Sequence, residues 1–135
     1  MKISIDAFEK AIKNCRCKET SGDPEYWSDK NPSYRQCLVT ALLANEVLGL
    51  DAFAEKVTLD SGFSAHHYFN KDTNKNYFRF CEGQFIFEKI LTREKEKSLS
   101  KEWFTALLEQ YPDINGRYKL FKERFQKEIL QIIGG

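Results

Sequence analysis

The stretch spanning residues 34–48, YRQCLVTALLANEVL, decides the fold. It is apolar on most faces, which predicts a helix buried on nearly all sides, with Gly49 as its stop and Asn31 or Ser33 as its cap. A helix without a solvent face must lie at the centre, with other elements packed around it. Upstream, Ile3, Ile5, Phe8, Ile12 and Cys15 recur at helical intervals and predict an amphipathic helix near residues 5–15. Between the two, residues 16–33 hold two of the three prolines and several turn formers, which predicts a long loop anchored by Tyr26 and Trp27.

Downstream the period changes. Residues 52–59 read as a strand, 60–62 as a turn, 63–70 as a second strand and 71–75 as a polar hairpin tip. Residues 76–81, NYFRFC, alternate aromatic and polar side chains and should pair antiparallel with the preceding strand. After Gln84-Phe85-Ile86-Phe87 the chain turns charged, and the run TREKEK at 92–97 reads as a solvated connection or helix end. Ser100 can cap a helix through Gln110, Pro112 breaks it, and residues 117–133 form a last amphipathic helix. The expected fold class is α+β, one domain over residues 1–135, with N-terminal helices, a central antiparallel β-meander and C-terminal helices.

Composition narrows the function. The chain has 135 residues, 41% of them hydrophobic, enough to build a core without disulfide or metal staples. Its 21 Lys+Arg balance 20 Asp+Glu, so the basic excess that drives binding to nucleic acid is missing, and no nucleic-acid partner is expected. No apolar run reaches the length of a membrane span, and Asp6 and Glu9 interrupt the segment where a signal peptide would be apolar. A cytoplasmic protein with no membrane partner is expected. Cys15, Cys17, Cys37 and Cys81 lack the spacing of a disulfide framework or a zinc site, so reduced thiols and no cofactor or metal are expected.

Cys37 is the most informative of the four, because it falls in the first turn of the buried helix. Helix N–H groups and the positive end of the dipole favour a thiolate there, although a thiol in such a helix can equally be core packing. The only two histidines, His66 and His67, stand side by side on a strand and therefore face opposite ways. One of them can face Cys37 and form a thiolate–imidazolium pair. A strand phase that slips by one residue exchanges the two.

Several segments together resemble the YunG-like family. They are Trp27-x-x-x-Asn31-Pro32-Ser33-Tyr34-x-Gln36-Cys37-x-Val39-Thr40-Ala41-Leu42, then His67-Tyr68-Phe69-Asn70, then Gln84-Phe85, and finally Arg117-Tyr118-Lys119-Leu120. The family pattern is W-x-x-x-N-P-x-x-G-Q-C-x-V-T-A-L, an H-Y/F-W/Y-N strand, a D-L/F-T-x-x-Q-F segment and a terminal R-Y-x-L-L. The resemblance implies a small α+β domain related to papain-like and NlpC/P60-like cysteine enzymes. Carried over by position, Cys37 would be the nucleophile, His67 the general base, and Gln36 or a backbone N–H an oxyanion donor, with Asn70 orienting the strand.

The chain departs from the pattern twice. Arg35 stands where the family has glycine, and Arg79 stands where it has the aspartate that would orient the imidazole. A cation there opposes an imidazolium, so another acid such as Glu82 or Asp72 takes over, the register differs, or the activity has been lost. Two functions follow. One is a cysteine hydrolase or acyl/amide transferase built on Cys37 and His67, acting on a protein or small-molecule substrate. The other is a silent relative that binds a protein or small anion, with His66, Asn70, Arg79, Arg35 and Trp27 as contacts. A third, purely structural reading leaves the apolar face of residues 104–133 as a contact surface.

Overall fold

The computed structural model describes residues 2–81, 84 and 89–134. Helix α1, Ile5–Cys15, starts where the Ser4 hydroxyl accepts the Ala7 N–H at 3.1 Å, and it buries Phe8, Ala11, Ile12 and Cys15. A single 3₁₀ turn at Lys18–Thr20 begins the connection to α2, Cys37–Leu48. Seven of the twelve residues of α2 are buried, and Gly49 ends it with φ +70°, a conformation open to a residue without Cβ.

The sheet contains β1, Asp51–Leu59; β2, Ser64–Lys71; β3, Tyr77–Phe78; and β4, Ile90–Leu99. Its order is β3-β2-β1-β4, and each pairing is antiparallel. The first three strands make the expected meander. The fourth crosses to the far side of β1, which the sequence did not suggest. Helix α3, Lys101–Gln110, is capped by the Ser100 hydroxyl, and α4 runs from Pro112 to Gly134. Proline at the first helical position lacks only an N–H that the helix would leave unused, so Pro112 starts α4 rather than merely ending α3.

The core lies between α2, α1, α4 and one face of the sheet. Phe8 meets Phe125 with ring centroids 5.5 Å apart, and Val39, Leu43, Ala52, Leu99, Phe104 and Phe121 fill the space around them. Asn70 ties β2 to α2 by donating from Nδ2 to the Ala41 carbonyl at 3.1 Å.

The structure corrects four sequence expectations. Helix α2 begins at Cys37, because residues 34–36 are spent in turns: Tyr34 N–H donates to Asn31 O, and Gln36 N–H to Ser33 O, each at 3.1 Å. The strand expected at 76–81 shortens to two residues. The run TREKEK lies inside β4, an edge strand exposed from Leu91 to Ser98, where nothing forces an apolar alternation. The last helix starts at Pro112 rather than at 117. Of the stretch at 84–87, residues 85–87 lie outside the described residues. Among the described residues no helix is long and apolar enough to cross a membrane.

Candidate ligand-binding cleft

Residues 22–36 fold back against the start of α2 and leave a cleft of about 740 Å³. The loop is fastened at several points. Gly22 N–H donates to Arg35 O at 2.9 Å, Trp27 Nε1 donates to Pro32 O at 2.9 Å, and Arg35 N–H donates to Gln84 Oε1 at 3.2 Å. Gln36 is fully buried, with its Nε2 donating to Cys17 O at 2.9 Å and its Oε1 accepting from Thr20 at 2.8 Å.

Three elements supply the cleft walls. The loop contributes Asn31, Tyr34 and Arg35, the first turn of α2 contributes Cys37 and Leu38, and the β1–β2 end contributes Leu59, Phe63, His66 and Tyr68. Helix α4 adds Arg117, whose neighbour Tyr118 is anchored in the core. The two arginines meet at Gly22. A Cβ placed there would lie 3.0 Å from Arg117 Nη1 and 3.5 Å from the Arg35 Cβ. Burial first, and then the like charge of Arg35, lower the Arg117 pKa against the opposing pull of Asp113. Neither arginine forms an ion pair among the described residues. Asp23, on the same wall, takes the Tyr34 hydroxyl at 3.4 Å.

Arg35 carries a further sign of constraint. Its φ is +55°, the left-handed region that a side chain with Cβ enters at a cost of about 1–2 kcal/mol. Glycine, the residue of the family pattern at this place, adopts it freely.

Cys37 is buried, and burial pushes its thiol up to about 11, helped by neighbouring Cys81. Hydrogen bonds from the Tyr68 backbone and the Gln84 side chain, with the charge of Arg35, pull the other way without prevailing. The thiol is therefore protonated at neutral pH. All four cysteines are free thiols, and among the described residues no three His, Cys, Asp or Glu side chains gather as metal ligands would.

The two histidines part company across the sheet. His66 is exposed and lines the cleft with Cys37. His67 is fully buried on the other face, its Nδ1 2.9 Å from Glu55 Oε2. Glu55 also receives Arg79 at 3.2 and 3.3 Å and Arg93 at 2.8 Å. Arg79 lies over the rings of Phe69 and Tyr77, 4.9 and 4.4 Å from their centroids. Burial alone would raise the Glu55 carboxyl, but the hydrogen bonds from His67 and Arg79, with the charges of Arg79 and Arg93, hold it at about 2.

Of the residues singled out in the sequence, Cys37, His66 and Arg35 therefore come together in the cleft. His67 does not join them, because the phase of β2 turns it toward Glu55. Arg79 serves the same carboxylate, so among the described residues the acid that meets the imidazole is Glu55 of β1 and not Asp72; Glu82 lies outside the described residues. Gln36 has both polar atoms engaged behind the cleft, Trp27 staples the loop, and Asn70 joins β2 to α2. Sequence reasoning missed Arg117, Asn31 and Glu55 as functional groups. Arg117 and Asn31 lie in the family-like segments, and Glu55 is an acid in the middle of an otherwise apolar-leaning strand. A family model described as YunG protein matches residues 4–129. No curated protein and no solved structure matches the chain.

The Glu55 cluster has a pH signature. The folded carboxyl lies below its ordinary value of 4.5, so its stabilisation is complete above that pH and is lost as the pH falls toward 2. Thermal melts across that window are expected to show Tm falling steeply with acidification. A Glu55→Gln variant should lose that part of the slope and be about 3–5 kcal/mol less stable near neutrality, as when one partner of a buried ion pair is removed. A variant with unchanged Tm and slope would show that the cluster stabilises nothing.

Proposed function

The chain belongs to the YunG family, and because it carries Arg35 and Arg79 where the pattern it resembles has glycine and aspartate, we propose that it is a ligand-binding protein whose cleft takes small anions. One observation carries this reading: Arg35 and Arg117 both line the cleft beside Gly22, and neither is closed into an ion pair among the described residues, although the charge of Asp113 bears on Arg117. The charge of Arg35 bears on Arg117, and an anion in the cleft would offset that like charge while accepting hydrogen bonds from a guanidinium. The strained backbone of Arg35 supports the same reading, since glycine would relieve the strain but could not reach a ligand. Arg79, the other cation the sequence offered for an anion, is engaged with Glu55 and contributes none of this.

A second reading is favoured by the placement of Cys37 at the first residue of α2 with His66 on the same cleft wall. It is the papain-like or NlpC/P60-like hydrolase or transferase, with His66 in the role that the family-like pattern gives to His67. Cys37 Sγ would attack a carbonyl carbon after giving its proton to the imidazole, which would return it to the leaving group. The protonated, buried thiol weighs against it.

Two experiments separate these readings. Replacing Arg35 with glycine is expected to leave the protein as stable as before or about 1 kcal/mol more stable, while abolishing the rise in Tm that phosphate or acetate gives the parent. A drop in stability with anion binding intact would contradict the proposal. Alkylation of Cys37 by iodoacetamide, followed by peptide mapping, is expected to be slow at neutral pH, to accelerate toward pH 11, and to be indifferent to His66→Ala. Fast neutral alkylation that His66→Ala slows would favour the thiol enzyme instead.

A further inference from the structure

Arg35 owes its left-handed backbone to a turn. Residues 33–36 close with Gln36 N–H donating to Ser33 O at 3.1 Å, Tyr34 keeps φ negative, and Arg35 has φ +55°. Those are the signs of a type II turn, whose third residue is ordinarily glycine or asparagine. Rotating the Tyr34–Arg35 peptide by about half a turn would convert it to type I, which keeps the same closing bond and accepts an arginine without strain. The chain does not relax in that way, and two side chains from elsewhere in the sequence account for it.

The peptide between Tyr34 and Arg35 is held at both of its polar atoms. Ser21, fully buried, donates its hydroxyl to the Tyr34 carbonyl at 2.9 Å. Gln84 Oε1 accepts the Arg35 N–H at 3.2 Å. Both holders are themselves fixed. Ser21 Oγ accepts the Asp23 N–H at 3.1 Å, while Gln84 donates its N–H to Cys81 O at 3.1 Å and takes Asn31 Nδ2 on its own carbonyl at 2.9 Å. A flipped peptide would aim its carbonyl at Gln84 Oε1, two acceptors facing each other. We infer that Ser21 and Gln84 are positioning residues of the cleft: together they hold the Tyr34–Arg35 peptide in the orientation that keeps Arg35 left-handed, and so set where Arg35 stands in the cleft wall. In the flipped turn the Cα–Cβ bond of Arg35 leaves in another direction and its guanidinium moves with it. This role rests on the anion-binding reading above and adds to it the two groups that present the arginine.

Nuclear magnetic resonance of the isotope-labelled full chain reads the turn directly, because a positive φ brings a residue's amide proton close to its own Hα and gives a strong cross-peak between them. The parent protein is expected to show that cross-peak at Arg35. Gln84→Ala is expected to weaken it and to bind inorganic phosphate about tenfold more weakly, as when about a tenth of the molecules keep the competent turn. Ser21→Ala should act in the same direction. Gln84→Glu, whose carboxylate can only accept, should keep the cross-peak at parent strength. A cross-peak and a phosphate affinity that are unchanged in both alanine variants would overturn the positioning role and leave the anion reading standing. A weakened cross-peak with unchanged phosphate affinity would overturn the link between the turn and the cleft. A parent protein that binds no phosphate would overturn the anion reading and the role assigned here, even with the cross-peak responding as expected.

Discussion

A buried carboxylate sets the arrangement of the site. Glu55 on β1 draws in His67 from β2, Arg79 from beyond β3 and Arg93 from β4, so that one acid ties every strand of the sheet on the face away from α2. Burying that charge is tolerable only because it is met by opposite charge and hydrogen bonds on several sides. The consequence for β2 is geometric. With His67 and Phe69 turned toward Glu55 and the aromatic–cation layer, His66, Tyr68 and Asn70 must face α2. Asn70 then anchors the helix, Tyr68 reaches the Cys37 thiol through its backbone, and His66 is delivered to the cleft.

The cleft on the opposite face follows a different logic. The first turn of α2 would favour a thiolate at Cys37, but burial outweighs the nearby donors and the Arg35 charge, and the thiol stays protonated. Cationic character instead resides in Arg35 and Arg117. One is held in a backbone conformation suited to glycine, and the other is half-buried against a like charge. Such strain persists when surrounding structure over-determines it, and here Gly22, Gln84 and the Ser33–Gln36 turn fix the loop backbone on both sides of Arg35.

Much of the fold was legible in residue patterns. The near-absence of a polar face in residues 34–48 placed α2 at the centre, Ser100 marked the start of α3, and the polar tip at 71–75 separated β2 from β3. What was not legible depended on partners distant in sequence. TREKEK carries no apolar alternation because β4 is an exposed edge, so its strand character comes from pairing with β1. The phase of β2 could not be read from two adjacent histidines, since a shift of one residue exchanges their faces. It was settled by Glu55, whose partners come from residues 12, 24 and 38 positions away. Arg117 and Asn31 were visible as parts of the segments that resemble the family pattern, but their place beside Arg35 in the cleft required the loop to close and α4 to pack.

Glu55 holds β2 in the phase that buries His67 and presents His66 to the cleft. Acylation of the native protein by diethyl pyrocarbonate, with peptide mapping over time, reads that phase directly. The expected result is rapid modification of His66 and protection of His67 until the chain is unfolded, in keeping with exposed and fully buried imidazoles. Rapid modification of His67 with protection of His66 would contradict the claim, place His67 beside Cys37, and return the site to thiol chemistry.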